Sequence, residues 1–392
     1  MADAILTINS GSSSIKFALF EINNGSFNCA IEGEAEGIGT SPHLFIRNEG
    51  ALALEKRWPD NEALGYEPLL GEILDWLEKH LGTDSLIAAG HRIVHGGRKF
   101  FAPTLITQDI VKDLKDLIEL APLHQPHNIE SIEALFKVRP KLPQVGCFDT
   151  AFHHTMPDVA TRIPIPRQYY DDGVRRYGFH GLSYEYISSC LPSLAPNLAK
   201  GRVVVAHLGN GASMCAIKEG KSVDSTMGFT ALDGLMMGTR TGALDAGVVL
   251  YMMQSRGMDA EALTSLLYKE SGLLGVSGIS SDVRTLLESP KQEAKEALEL
   301  FAFKAAHQAA GLVTSLGGVD GLVFTAGIGE HAAPIRAAIC ARLAWMGISL
   351  SEEANKANAP IISTPDSKVE VRVIPTNEEL VIARHTFQLV NK

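Results

Sequence analysis

No apolar run in this chain is long enough to span a bilayer, which argues against a membrane partner. The opening Met1-Ala2-Asp3-Ala4-Ile5 has neither the basic region nor the long apolar region of a secretory signal, so a cytoplasmic address is expected. Cysteine is scarce: Cys29, Cys147, Cys190, Cys215 and Cys340 show no C-x-x-C spacing, and reduced core thiols are expected rather than a disulfide or zinc framework. Positive charge is in deficit, with 35 Lys+Arg against 45 Asp+Glu and a formal net charge of -10. That balance disfavours nonspecific attraction to nucleic acid or an anionic surface, so an anionic ligand must be held by local groups. No G-x-x-x-x-G-K-[ST] loop occurs, and phosphate handling must use other glycine turns. Zinc is not expected at His153-His154 or at His124-x-x-His127, because Pro126 is expected to break any helix that would align the second pair.

What is present is a 392-residue chain, 45% hydrophobic and 20% charged, long enough for two folded domains. Its unusual chemistry is concentrated between Arg202 and Asp245. There Val203 to Ala206 turns at His207-Leu208-Gly209-Asn210-Gly211-Ala212-Ser213 and resumes as Met214 to Ile217, reading as strand, glycine turn, strand. A second glycine-spaced segment, Gly234 to Gly242, carries the isolated Arg240. Amides freed by glycine, hydroxyls and a fixed cation are what a transferable phosphate requires. Ile5 to Phe20 echoes this unit: laid over Val203 to Lys218 without a gap, it places Asn9 on His207 and Gly11 on Gly209. Two copies half a chain apart predict a duplicated domain with a cleft between the copies.

The rest of the chain alternates strand and helix. A strand meander is expected over residues 21 to 62, an amphipathic helix over Leu69 to Leu81 ended by Gly82, a buried strand from Leu86 into Gly96-Gly97, and helices over 107–120 and 128–137. Gln144 to Thr150 reads as a strand ending in an acid, and the boundary between domains is placed near residue 150, with 157–173 loop-like. Helices are expected over 243–255, 259–270, 281–288 and 292–316, a strand over 321–326, a helix from about Ala333, a strand over 369–374 and a terminal helix to about Val390. This alternation argues for an α/β fold with parallel segments and ligands at the carboxyl ends of strands, where Arg92 and Asp149 lie.

Several residues are candidates for chemistry. Taken alone, Gly209-Asn210-Gly211 reads as an ordinary hairpin turn, and His207 and Ser213 beside it strengthen the phosphate reading. Gly327-x-Gly329-x-x-Ala332, between a strand and a helix, suits a mononucleotide better than a dinucleotide, because Glu352 and Glu353 follow in apparent loop and little chain remains. Arg92 and Arg240 sit in matching contexts that suit a bidentate clamp on carboxylate or phosphate. Asp149 and Glu378, read as strand-end acids, suit Mg²⁺, although helix capping is the plain alternative for Asp149. His180, in Tyr177-Gly178-Phe179-His180-Gly181, suits hydrogen bonding to developing charge or a satisfied core position.

Assembled, these residues resemble the acetokinase family of the actin-like ATPase, sugar kinase and Hsp70 superfamily over essentially the whole chain. The resemblance is carried by Asn9 to Phe17, Gly90 to Gly97, Phe148 to His153, Arg176 to Gly181, His207 to Ser213, Met236 to Arg240, Phe324 to Glu330 and Pro375 to Glu379. It implies two duplicated actin-like ATPase (ribonuclease H-like) α/β domains around a central cleft: 1–150, completed by about 379–392, and a nucleotide-binding 151–378. It implies a homodimer, ATP/ADP with Mg²⁺ or Mn²⁺, and reversible direct in-line phosphoryl transfer to acetate or a similar short-chain carboxylate. Asn9, Ser12, Ser14 and Lys16 would serve the phosphate and metal region. Arg92 would hold the carboxylate, Arg240 and His180 the phosphoryl group in transit, and Asp149 and Glu378, with Asn9, the metal. His207, Leu208, Gly209, Asn210 and Gly211 would meet the ATP phosphates, and Gly327, Ile328, Gly329 and Glu330 the adenosine. Val94, Leu123, Phe179 and Ala231 would line the acyl pocket. A carboxylate acceptor is already ionised and needs no general base, so alignment and charge neutralisation suffice.

Departures from the family pattern fall at Ala231, where proline is usual, at Thr241-Gly242-Ala243 in place of Gly-Asp after the arginine, and at His331 in place of Asn. A smaller residue at 231 leaves room for an extra methylene, worth about 1–3 kcal/mol of discrimination, so propionate is the alternative acceptor. A non-catalytic actin-like ATP-binding protein and a nicotinamide-dependent oxidoreductase are the readings from other classes.

Overall fold

The computed structural model describes residues 3–59, 63–81 and 85–391. It divides into two units, Met1–Ala151 with Asn377–Lys392, and Phe152–Thr376. The first is built on an eight-stranded sheet of β1 (Asp3–Ser10), β2 (Ser14–Asn23), β3 (Ser26–Glu36), β4 (His43–Asn48), β5 (Ala51–Arg57), β6 (Ser85–Ile93), β7 (Thr104–Leu105) and β8 (Gln144–Phe148), in the order β5-β4-β3-β2-β1-β6-β8-β7. The second has β9 (Arg202–Leu208), β10 (Ala212–Lys218), β11 (Lys221–Ser225), β12 (Gly321–Thr325) and β13 (Glu370–Val373), in the order β11-β10-β9-β12-β13.

Both sheets contain one plan. In the first, β3, β2 and β1 are antiparallel neighbours and β6 and β8 follow parallel to β1; in the second, β11, β10 and β9 are antiparallel and β12 and β13 follow parallel to β9. The repeat is therefore one of topology as well as sequence. The gap-free overlay does not hold across the turn, however. Asn9 pairs with Lys16 and His207 with Ser213, so the first turn is one residue longer and β2 is displaced by one position against β10.

Alternation along the strands splits each core between two faces. In the first unit Leu6 and Ile8 pack on the helix Tyr66–His80 through Leu69, Leu70, Ile73 and Leu74. Ile5, Ala18, Phe20 and Ile22 pack on the terminal helix Glu378–Val390 through Ala383. That helix approaches β6 so closely that a Cβ on Gly90 would lie 2.3 Å from the Thr386 hydroxyl. In the second unit Val203, Val205, Cys215 and Ile217 pack on Tyr184, Ile187 and Leu191 of the helix Gly181–Leu194, and the long helix Gln292–Leu316 covers β9 to β11.

Several expectations are corrected. The helix expected over 107–120 ends at Lys115 and gives way to a 3₁₀ turn, Ile118–Leu120. The next helix, Gln125–Val138, starts with Pro126 in its first turn, where the missing amide has no partner to lose; Pro126 helps start a helix instead of breaking one. The loop-like stretch holds the short helices Asp158–Thr161 and Arg167–Asp171. Gly327 to Glu330 is itself helical, in Ala326–His331, before the separate helix Ala333–Arg342. Glu352 and Glu353 open a short helix capped by Ser351. Glu378 begins the terminal helix, capped by Asn377, and does not end a strand. The stop expected at Gly82 lies outside the described residues. None of the five cysteines is in a disulfide, with Cys147, Cys215 and Cys340 buried but Cys29 exposed and Cys190 half-buried. Among the described residues no helix is long and apolar enough to cross a membrane.

Candidate active site

In the first unit the parallel strands β6 and β8 end side by side, which brings Arg92 and Asp149 together across the sheet. Asp149 is 1% exposed and takes the side-on edge of the guanidinium: Arg92 Nε donates to Oδ1 and Oδ2 at 3.1 Å each, and Nη2 donates to Oδ2 at 2.7 Å. Arg92 Nη1 donates to Asn9 Oδ1 at 3.3 Å. Glu378 Oε2 stands 3.8 Å from Nε. Each terminal nitrogen carries two N–H groups and spends one, so one N–H on Nη1 and one on Nη2 remain to bind a carboxylate. Burial works against the Arg92 cation, but Asp149 and Glu378 outweigh it and hold the guanidinium charged. Burial pushes the Glu378 carboxyl up to about 7; Arg92 opposes that, and the neighbouring Asp149 and Glu379 reinforce it.

The turn between β1 and β2 is closed by Gly11 N–H donating to Ser14 O at 2.8 Å and is tied down by Tyr66, whose hydroxyl donates to Gly11 O. Asn128 clasps it from the helix Gln125–Val138, donating to Ser10 O at 2.9 Å and accepting from Val94 N–H at 3.0 Å. One amide thus positions both the turn and Val94, a role invisible in the sequence pattern. The Ser10 hydroxyl is buried without a partner. Ser12 is exposed, and Lys16 reaches Glu34 at 3.9 Å while staying largely solvated. Val94 is buried and Leu123 half-buried.

In the second unit β9 and β10 set His207 and Ser213 opposite one another. His180 caps the helix Gly181–Leu194 in a left-handed conformation, φ 57, after Gly178 and buried Phe179. Its Nδ1 lies 2.8 Å from Ser213 Oγ, and its ring stacks on His207 with centroids 4.3 Å apart. His207 Nδ1 lies 2.8 Å from Ser183 Oγ. Arg240 donates from Nη1 to Ala231 O at 3.1 Å and leans toward the Tyr268 ring. Thr241 N–H bonds Leu267 O and Ala243 N–H bonds Gly234 O, so the unusual residues after the arginine still close its loop. Gly211 stands between His180 and Arg240: a Cβ there would be 3.5 Å from His180 Nε2 and 3.9 Å from Arg240 Nη1.

A cavity of about 600 Å³ opens beside the same turn, lined by Gly209, Asn210, Ser281, Asp282, Val283, Arg284, Leu287, Gly327, Ile328, His331, Ala332 and Pro334. It has room for a nucleoside. Of the expected nucleotide residues, Gly209, Asn210, Gly327 and Ile328 line it, whereas Leu208 is fully buried in β9 and Gly329 packs toward Phe324 and Ala206. Glu330 is turned inward, its Oε1 accepting from Ala326 N–H at 2.8 Å and Thr376 N–H at 3.2 Å. It ties the ends of β12 and β13 and is not part of the lining. Fully buried Arg336 holds the same segment by donating to Gly329 O and Glu330 O at 2.9 Å each. Ser281, Asp282 and Arg284 escaped sequence reasoning, although a Ser-Ser-Asp run before a helix was a visible capping signal.

The expected site residues thus form two groups, one per unit. Asn9, Arg92, Asp149 and Glu378 come together in the first; His180, His207, Gly211 and Arg240 cluster in the second, next to the cavity. Val94 and Leu123 belong to the first unit, Phe179 and Ala231 to the second. Among the described residues no group of three or more His, Cys, Asp and Glu is arranged to hold a metal ion. Two carboxylates and the Asn9 amide oxygen are still a donor set that suits Mg²⁺, which keeps several of its waters. Burial first, and the neighbouring Asp149 and Glu379 after it, raise the Glu378 carboxyl, and a cation held there would favour its ionised form.

Residues 4–384 match the profile of the acetokinase family. The chain is 50% identical over 397 aligned positions to an acetate kinase of Rhodopseudomonas palustris, covering 100% of this chain and 99% of that one. Its structure is similar to that of a propionate kinase from Francisella tularensis subsp. tularensis SCHU S4, with TM-score 0.92 and 38% identity over 98% of this chain and 99% of the other. It is also similar to acetate kinase from Porphyromonas gingivalis, with TM-score 0.86 and 36% identity over the whole of both.

Proposed function

The chain belongs to the acetokinase family, and we propose that it transfers the γ-phosphoryl group of ATP to acetate, reversibly, giving acetyl phosphate and ADP. The observation that carries this reading is the pair of N–H groups left on Arg92. A guanidinium fixed on one edge by Asp149 and open at its end orients a carboxylate acceptor, and no base is needed to ionise it.

The first unit supplies the acceptor side. Arg92 aligns the carboxylate, Val94 and Leu123 contact its methyl group, and Asn9, Asp149 and Glu378 hold Mg²⁺ or Mn²⁺. When bound, the cation supplies charge neutralisation on the phosphates. Ser12, Ser14 and Lys16 serve the phosphates from the first turn. The second unit supplies the donor side: the cavity at Gly209, Asn210, Gly327 and Ile328 takes the adenosine, and the amides of the Gly209–Gly211 turn meet the phosphate chain. His180 and Arg240 hold the group in transit, with His180 Nε2 and Arg240 Nη1 both close to Gly211. Glu330 orients the segment under the nucleotide and does not touch it.

Propionate, one methylene longer, is the second acceptor. The protein acts in the cytoplasm as a homodimer. The helix Ala246–Arg256, which has no buried residue and exposes Val248, Leu250, Tyr251 and Met253, is the surface assigned to the second copy. A hydroxamate assay with ATP, Mg²⁺ and acetate, propionate and butyrate in turn traps acyl phosphate directly. Absence of product with every acid would overturn the proposal, and a higher kcat/KM for propionate would replace acetate as the acceptor.

A further inference from the structure

Ser213 is fully buried on β10 and has two polar neighbours, His180 Nδ1 at 2.8 Å and the hydroxyl of Tyr184. Tyr184 is fully buried and lies one helical turn beyond His180 on the helix Gly181–Leu194. A serine hydroxyl has one hydrogen and can donate to only one neighbour. A phenol is a stronger donor than an aliphatic alcohol, and a neutral imidazole nitrogen is a stronger acceptor than a hydroxyl oxygen. The favoured direction is therefore from the Tyr184 hydroxyl to Ser213 Oγ, and from the Ser213 hydroxyl to His180 Nδ1.

We propose that the Tyr184–Ser213 pair holds His180 in the tautomer that carries its hydrogen on Nε2, making Ser213 and Tyr184 positioning residues for phosphoryl transfer. The tautomer follows from the contacts of Ser213 together with the relative donor and acceptor strengths; its use in transfer rests on the function proposed above. The far side of the ring agrees with this direction. Both His180 Nε2 and Arg240 Nη1 border the space over Gly211. With hydrogen on Nε2, the ring turns a donor toward that space, beside the charge of the Arg240 guanidinium. The opposite tautomer would present a lone pair to an incoming anion and repel it. The ring is also held in place: His207 stacks on it with planes 23° apart and is anchored in turn by Ser183, whose hydroxyl lies 2.9 Å from Thr376 Oγ1.

The test uses the full chain labelled with ¹⁵N-histidine. Long-range ¹H–¹⁵N correlation spectra at pH 8 report each tautomer, and His180→Gln identifies the His180 signal by its loss. The expected result is an unprotonated Nδ1 and a protonated Nε2 in the native protein, with Ser213→Ala and Tyr184→Phe moving the signal toward a mixture of tautomers. In turnover, Ser213→Ala should lower kcat at least about tenfold, as when a catalytic histidine loses its orienting partner, with little change in KM for ATP. Added to His180→Gln, the same substitution should have no further effect. A native His180 with hydrogen on Nδ1 would overturn the proposal without any variant. So would an equal loss of kcat from Ser213→Ala in the His180→Gln background, which marks a general structural role. If neither acetate nor any other acid is phosphorylated, the spectra still decide the tautomer, and only the functional reading fails.

Discussion

Glu378 Oε2 lies 3.8 Å from Arg92 Nε, beside a guanidinium whose side-on edge is already occupied by Asp149. One cation therefore serves a buried carboxylate and a half-buried one. Asp149 has the close bonds, and desolvation, reinforced by the charges of Asp149 and Glu379, raises the Glu378 carboxyl to about 7.

That shift sets a pH dependence. The unfolded-state carboxyl ionises near 4.5 and the folded one near 7, so between these values the folded protein binds more protons and stability falls as pH rises, levelling above about 7. In metal-free protein Glu378→Gln should be more stable than the parent at pH 8 by roughly 1–3 kcal/mol, and equal to it near pH 4.5. Urea unfolding in a chelator across this range measures the difference; one that fails to grow with pH would contradict the assignment.

Arg92→Lys retains a charge beside Asp149 but loses the two open guanidinium N–H groups. Folding should survive, while KM for acetate rises roughly 10- to 100-fold, the equivalent of about 1.5–3 kcal/mol for a charged hydrogen bond. Arg92→Ala should instead cost about 3–5 kcal/mol of stability, because Asp149 would remain buried and unpaired. Unchanged acetate saturation in Arg92→Lys, by steady-state kinetics, would remove Arg92 from the acceptor site.

Gly211→Ala separates packing from chemistry. The added methyl meets His180 and Arg240 at ordinary contact distances, so Tm should stay within about 2 °C of the parent. The methyl nevertheless occupies the space assigned to the phosphoryl group, and kcat/KM should fall about 100-fold or more, a loss of some 2.7 kcal/mol of transition-state stabilisation. Full activity in a normally folded Gly211→Ala would show that transfer takes place elsewhere.

Leu250→Glu places a charge in the middle of the exposed apolar face of the helix Ala246–Arg256. Light scattering after size exclusion should give a dimer for the parent and a monomer for the variant at micromolar concentration. A monomeric parent would refute the assignment of this face.

The groups proposed to touch ligand were the most legible from the residues, because their surroundings are local. Arg92 and Asp149 follow apolar strand residues and so had to emerge at strand ends, and Gly209-Asn210-Gly211 had to turn. Less legible were residues whose meaning depends on a partner distant in sequence. Glu378 looked like a strand-end acid, since nothing nearby in sequence shows that Asn377 caps a helix returning to β6 of the first unit. Glu330 looked like a nucleotide contact, but its partner Thr376 N–H is supplied by a segment 46 residues later. Pro126 looked like a breaker because its position within the first turn depends on where the helix begins.

Apolar periodicity, glycine placement and the two echoing turns were enough to determine that this is a duplicated α/β chain with a glycine turn between the first two strands of each copy. These are properties of short windows, in which backbone sterics and the period of burial leave few choices. Folding alone decided which acid Arg92 clasps, that the first turn is one residue longer than the second, and that Ser213 and Tyr184 meet at His180. Each of these depends on strand register and helix docking, which arise from the summed burial of the sheet cores. No short stretch of sequence encodes that sum.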